Sequence, residues 1–260
     1  MRPILWLLVA ALAILLGWLT ITGQAPPAKT GEKVTTQLAQ LERGQWLVGP
    51  GMLFATVHLS TWSEPGGEPV KRKKVVLIST ATKTFQGLIV GVVGGAHWLR
   101  RGQELYRLLP GKTKVTQVKD RAVWQAPFAG SALSVAEFLV GFQLERYDLA
   151  GSALVQSGER EMTLLARPDS QAPYARLEVY VEAQGKLQHL KAYDTSGRLL
   201  KTVKILAYTE FQHTPLIKRL VVEDVPDSLR TEVLIQGRKP HSLPDFAFTP
   251  QTMSTLQIGR

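Results

Sequence analysis

The sequence predicts an α+β protein: one strongly curved antiparallel sheet with two or three helices covering its concave face. Three observations lead there. From Leu53 onward most of the chain alternates apolar and polar residues, the period of a half-buried strand. Short turns rich in Gly, Pro and Ser separate these runs, as in hairpins between antiparallel neighbours. Helical spacing appears clearly in only two segments, residues 30–43 and 127–143.

The first residues have a different character. Met1-Arg2-Pro3 is a short positive start, and Ile4 to Leu19 follow with no polar side chain. That is the pattern of an export signal. As a helix rising about 1.5 Å per residue, this stretch falls a little short of the roughly 30 Å hydrocarbon core of a bilayer, and counting on to Thr22 nearly closes the gap. Residues 1–25 are therefore expected to be either a cleaved signal peptide or a retained membrane anchor. Both outcomes put residues 26–260, read as a single domain, outside the cytoplasm.

Beyond a Pro-containing linker, residues 30–43 place Val34, Leu38 and Leu41 on one helical face, with Thr30 as N-cap and Gly44 as C-cap. The period then changes to two. Leu53, Ala55, Val57 and Leu59 alternate with Phe54, Thr56, His58 and Ser60. Extended runs are predicted over residues 75–79, 85–93, 97–100 and 104–109, then 161–166, 176–182, 187–193, 199–211, 216–222 and 231–236. Between the two sets, Val135, Phe138, Leu139 and Phe142 recur at helical spacing, which predicts a helix over 127–143 packed on the sheet. A long meander of this kind must curl or be covered, because exposed apolar faces and edges aggregate.

Composition removes many kinds of chemistry. With no Cys, disulfide scaffolds, thiolate metal sites and cysteine nucleophiles are excluded. The five histidines lie far apart and make no metal-ligand spacing. Gly111-Lys112-Thr113 resembles the end of a phosphate-binding loop, but Tyr106 occupies the required earlier glycine position and no helix is expected after it. No Gly-x-Ser-x-Gly elbow occurs. The expectation is a protein that is not an enzyme and uses no cofactor or metal.

The charge is more informative. Lys and Arg number 31 against 21 Asp and Glu, a net +10, which suits an anionic partner. Export argues against nucleic acid and for an anionic membrane surface. Lys71, Arg72, Lys73 and Lys74 stand where a hairpin returns into the sheet. This run reads either as protection of a sheet edge or as a headgroup contact.

Several segments resemble the bacterial outer-membrane lipoprotein-sorting proteins, relatives of the carrier LolA, and they fall in that family's order. Residues 105–115, with Tyr106, Pro110, Gly111, Lys114 and Val115, look like its W-x-Y-x-P…K-V hairpin. Residues 130–139, beginning Gly130-Ser131 and including Ser134 and Glu137, look like its G-S-D-F-S-Y-E-D-L segment, with Ala132 in place of the acidic residue. Tyr193-Asp194-Thr195-Ser196-Gly197-Arg198-Leu199-Leu200-Lys201-Thr202 resembles its Y-D-x-S-G-K-L-L-K-T hairpin. Phe248-Thr249-Pro250 resembles its F-T-P close.

The resemblance implies a half-open β-barrel and a periplasmic carrier that shields lipid or lipoprotein acyl chains under helical lids. On that reading Leu53, Val57, Leu59, Leu77, Leu177, Val179 and Val181 line the cavity. Val34, Leu38 and Leu41, with Phe138 and Phe142, form the helical cover. An inner-membrane transporter is the implied partner, and the protein is expected to be a monomer. The alternative is an accessory module of such a transport complex, tethered by residues 4–22 and using the same fold.

Overall fold

The computed structural model describes residues 53–81, 86–155, 159–182, 186–211, 213–241 and 243–255. The chain divides into two compact units, residues 1–37 and 38–260, and every described residue belongs to the second. The expected signal or anchor, and the expected helix carrying Val34, Leu38 and Leu41, lie outside the described residues.

Among the described residues thirteen strands form one sheet. They are β1 (Leu53–Trp62), β2 (Lys71–Ala81), β3 (Gln86–Val92), β4 (His97–Arg101), β5 (Glu104–Leu108), β6 (Thr116–Gln117), β7 (Tyr147–Leu154), β8 (Arg160–Ala166), β9 (Arg176–Val181), β10 (Leu187–Tyr193), β11 (Leu199–Phe211), β12 (Thr214–Asp224) and β13 (Leu229–Pro240). All neighbours are antiparallel, in the order β6-β5-β4-β3-β2-β1-β13-β12-β11-β10-β9-β8-β7. The first and last strands pair at the centre, so the two edges are β6 and β7, which are consecutive in sequence. One connection, residues 118–146, therefore has to pass from one edge of the sheet to the other. It carries helix α1 (Arg121–Gln125) and helix α2 (Val135–Leu139).

Alternation holds where the sequence placed it. On β1, Leu53, Ala55, Val57, Leu59 and Thr61 are buried, and the residues between them are half-buried. Register carries this face sideways: Val57 lies between Val75 and Ile235, and Ala55 beside Leu77.

The third helix, α3 (Pro250–Thr255), is not on the concave side. Strands β2 and β3 contain continuous apolar runs, Val75-Val76-Leu77-Ile78 and Leu88-Ile89-Val90, so they are apolar on both faces and need burial on both. Val76, Ile78, Ile89, Leu99 and Leu108 turn away from the Val57 face and are covered by Phe248 and Met253. The C-terminal segment is tied down by polar contacts to β2. His241 Nε2 lies 2.7 Å from the Ser79 carbonyl, and Thr80 Oγ1 donates to Asp245 at 2.9 Å. The Phe-Thr-Pro close is thus a plug for the convex face.

The predicted helix over 127–143 is mostly loop. Phe128–Gly130 is a 3-10 turn, and the α-helix is confined to Val135–Leu139. Pro127 and Gly130 favour a turn, and Ser134 acts as N-cap, so its side chain starts a helix that its backbone does not continue backwards. Phe142 is buried but lies beyond the helix end. The sequence reading also missed β6, β7 and α1. Strand β7 is an edge, Tyr147-Asp148-Leu149-Ala150-Gly151-Ser152-Ala153-Leu154, exposed at every position after Tyr147 and hence without alternation to detect.

Candidate functional site

The seven expected wall residues, Leu53, Val57, Leu59, Leu77, Leu177, Val179 and Val181, are all 0–2% exposed. Four come from β1 and β2 and three from β9, on different halves of the sheet. Register joins the two groups on one face, because residues directly opposite each other across a ladder point the same way. The path runs Val179–Leu190–Val203–Val222–Thr231–Thr61, and Thr61 shares the inward phase of Leu59. Trp98 continues this face beyond Val90 and Leu77.

The edge-to-edge connection supplies a cover. Ala126 O accepts from Val135 N at 2.9 Å, and Leu133 O accepts from Phe128 N at 2.7 Å, closing residues 127–134 into a compact loop. Gly130 has φ +75°, and a Cβ there would sit 2.6 Å from Lys71 Nζ, so a larger residue would have to displace the lysine. Phe128 is fully buried, stacks on Phe138 with ring centroids 3.9 Å apart, and lies 6.5 Å from Trp98 of the wall. Of the two expected described cover residues, Phe138 does occupy the helix and is buried.

A buried polar latch fastens the cover to the sheet. Glu137 is 2% exposed and sits in the first turn of α2. Its Oε2 accepts from Ser134 N at 2.7 Å and from Lys201 Nζ at 2.7 Å, and its Oε1 accepts from the Tyr174 hydroxyl. Glu137 N in turn donates to Ser134 Oγ at 3.1 Å, completing a capping box. Lys201 Nζ also donates to Ala132 O at 2.7 Å and lies 3.5 Å from Asp224 Oδ2. Beside this ion pair, Thr231 Oγ1 accepts from Ala132 N at 2.8 Å and lies 2.9 Å from Thr61 Oγ1. Every strong donor and acceptor of Glu137 and Lys201 is thereby engaged, as charges this deeply buried require. Burial, then Glu137, pushes the Tyr174 hydroxyl well above its ordinary pKa, keeping it a donor. The Ala132 backbone thus supplies both a donor and an acceptor to the latch.

The latch joins the two resemblance segments at 130–139 and 193–202. Its signal in the sequence was parity: Lys201 shares the inward phase of Val203 and Ile205. The hairpin that delivers it is set by Asp194, whose Oδ1 accepts from Ser196 N at 2.9 Å, Ser196 Oγ at 2.6 Å and Arg198 N at 3.0 Å. These bonds hold the Asp194 carboxyl below its usual pKa. A cleft of about 240 Å³, whose lining includes Ser134, Tyr174, Lys201 and Asp224, opens onto the latch.

The run at 71–74 does not make one patch. Lys71 and Lys73 pair with Thr61 and Leu59 on the concave side, whereas Arg72 and Lys74 pair with Ser60 and His58 on the other. Arg72 is also engaged by Glu68 at 2.9 Å. Among the described residues no group of His, Cys, Asp or Glu could hold a metal, and no helix is long and apolar enough to cross a membrane.

Similar folds are found among solved structures. A putative outer-membrane lipoprotein-sorting protein domain from Vibrio parahaemolyticus superposes with TM-score 0.69 at 17% identity, over 86% of this chain and 97% of that one. A DUF1329 family protein from Desulfovibrio piger gives TM-score 0.70 at 16% identity, over 86% and 98%. A LolA superfamily protein from Nitrosomonas europaea gives 0.64 at 17% identity, over 83% and 97%. No curated protein sequence matches the chain. The sheet is thus the open half-barrel of the LolA-like fold. Residues 92–255 match the profile of a family described as uncharacterized protein, and the chain belongs to that family.

Proposed function

We propose that the protein is a periplasmic carrier that takes lipid or lipoprotein acyl chains onto its concave face. The observation that carries this reading is a largely apolar inner wall whose cover is held by one separable polar latch. Each methylene moved from water onto such a wall contributes about 0.8 kcal/mol, so a chain of roughly a dozen supplies about 10 kcal/mol toward displacing the cover. Rehydration of Glu137 and Lys201 on opening offsets part of the cost of breaking their contact, which an apolar pair would not do, and this suits a cover that must open. No catalysis is required. Delivery on this reading is to an inner-membrane transporter, and the excess positive charge favours residence at an anionic membrane surface.

The burial of the wall supports a second reading. With the seven wall residues already 0–2% exposed, the same fold could serve as a filled interaction module of a transport complex. Native mass spectrometry of the protein purified from membranes and from periplasm separates the two. The carrier is expected to retain acyl lipid that a fatty acid displaces, with retention lost in Val57→Asp and Val179→Asp. Empty protein that binds no fatty acid would leave the interaction module.

A further inference from the structure

We infer that the concave face receives the acidic headgroup of its ligand at Arg100 and Arg107, so that the cargo is an anionic amphiphile rather than a neutral one. This inference rests on the carrier reading and specifies its substrate class.

Both arginines belong to the wall. Arg100 on β4 pairs with Leu88 and Leu105, and Arg107 on β5 pairs with Trp98, all in the inward phase. Arg100 is 8% exposed. Among the described residues its one hydrogen bond is a long one, from Nη2 to Gln86 Oε1 at 3.5 Å. Its Nε is buried without a partner, and so is the Nε of Arg107, whose guanidinium lies 5.6 Å from the Trp98 ring centroid. Among the described residues no carboxylate forms an ion pair with Arg100.

The contrast with Lys201 is direct. The same sheet buries both cations and gives Lys201 a carboxylate and a carbonyl, whereas among the described residues Arg100 has neither. Guanidinium does not shed its proton at neutral pH, so a buried Arg must find an anion or carry an uncompensated charge. Burial accordingly lowers the Arg100 pKa, and Glu145, acting through space, only partly opposes that. The fork of an Arg suits carboxylate and phosphate oxygens alike. The surroundings add positive potential: the tip of the same hairpin, Gly102 and Gln103, walls a cleft of about 270 Å³ whose ionisable lining residues are Lys119, Arg121 and Arg146.

The test is calorimetric titration of the full chain with chain-matched ligands: laurate and lauryl phosphate as anions, monolaurin as the neutral amphiphile, and inorganic phosphate alone. Wild type is expected to bind both anions about tenfold to a hundredfold tighter than monolaurin. Arg100→Gln is expected to bring the anions down to the monolaurin affinity while leaving monolaurin binding unchanged, which also shows that the variant is folded. Arg100→Lys should fall between. Without ligand, Arg100→Gln should melt no lower than wild type, whereas a structural arginine would lower the Tm.

Equal affinity for anionic and neutral ligands would overturn the inference while leaving the carrier standing. So would a parallel loss of all ligands in Arg100→Gln. Competition by millimolar inorganic phosphate alone would show a free-anion site and overturn the headgroup assignment. Failure of every amphiphile to bind would remove the carrier reading itself.

Discussion

Lys201→Met is expected to lower stability by about 3–5 kcal/mol, because it strands the buried Glu137 carboxylate beside Asp224 without a cation. Urea denaturation monitored by Trp fluorescence measures it. The second half of the expectation is sharper. Glu137→Leu combined with Lys201→Met should recover most of the loss, since an apolar pair in a buried site is often neutral or stabilising against the ion pair it replaces. The two substitutions should therefore be strongly non-additive. Additive losses would mean that the contact is not a unit. Because the pair holds the cover, Lys201→Met is also expected to speed uptake of a fluorescent fatty acid, while the apolar double variant should slow it.

Phe128→Ala is expected to cost about 3–5 kcal/mol, the range for truncating a large, fully buried aromatic side chain. Phe128 touches both the cover, through Phe138, and the wall, through Trp98, so its loss opens a void between them. Phe142→Ala should cost less, because Phe142 sits beyond the end of α2 and is 9% exposed rather than fully buried. Comparable losses in the two variants, read as shifts in denaturation midpoint, would contradict the placement of Phe128 at the centre of the contact.

Strand parity was the most legible feature of the sequence. The alternation in β1 and the inward phase read at Leu77 and at Leu177, Val179 and Val181 named seven residues that register places on one buried face. What parity could not give is the partner across space. Glu137 and Lys201 are separated by 64 positions, and nothing in their spacing announces a contact; only the juxtaposed family-like segments hinted at it. Elements without a repeating pattern were lost: β7 because an exposed edge strand need not alternate, and the loop in the first half of 127–143 because the helical spacing of Val135, Phe138, Leu139 and Phe142 was extended backwards past the Ser134 N-cap. The helix α3 carried a legible start, Thr249 before Pro250, with Thr249 Oγ1 accepting from Thr252 N at 3.2 Å. Which face it would cover depended on β2 and β3 being apolar on both sides. Arg100 and Arg107 also sat in the inward phase, where a charged residue is itself a signal.

The most direct test of the carrier reading is to lock the cover and ask whether acyl chains still enter. The chain has no Cys, so a single pair can be introduced cleanly. Ala132 and Thr231 meet across the cover and the sheet, with Ala132 N 2.8 Å from Thr231 Oγ1, close enough for Ala132→Cys and Thr231→Cys to be tried as a bridge. Fatty-acid binding by the double variant would be measured oxidised and again after reduction, with mass spectrometry confirming the bond. A carrier is expected to lose binding when oxidised and to regain it on reduction. Equal binding in both states, with the bond confirmed, would show that acyl chains do not need this cover to move and would contradict the concave-face carrier.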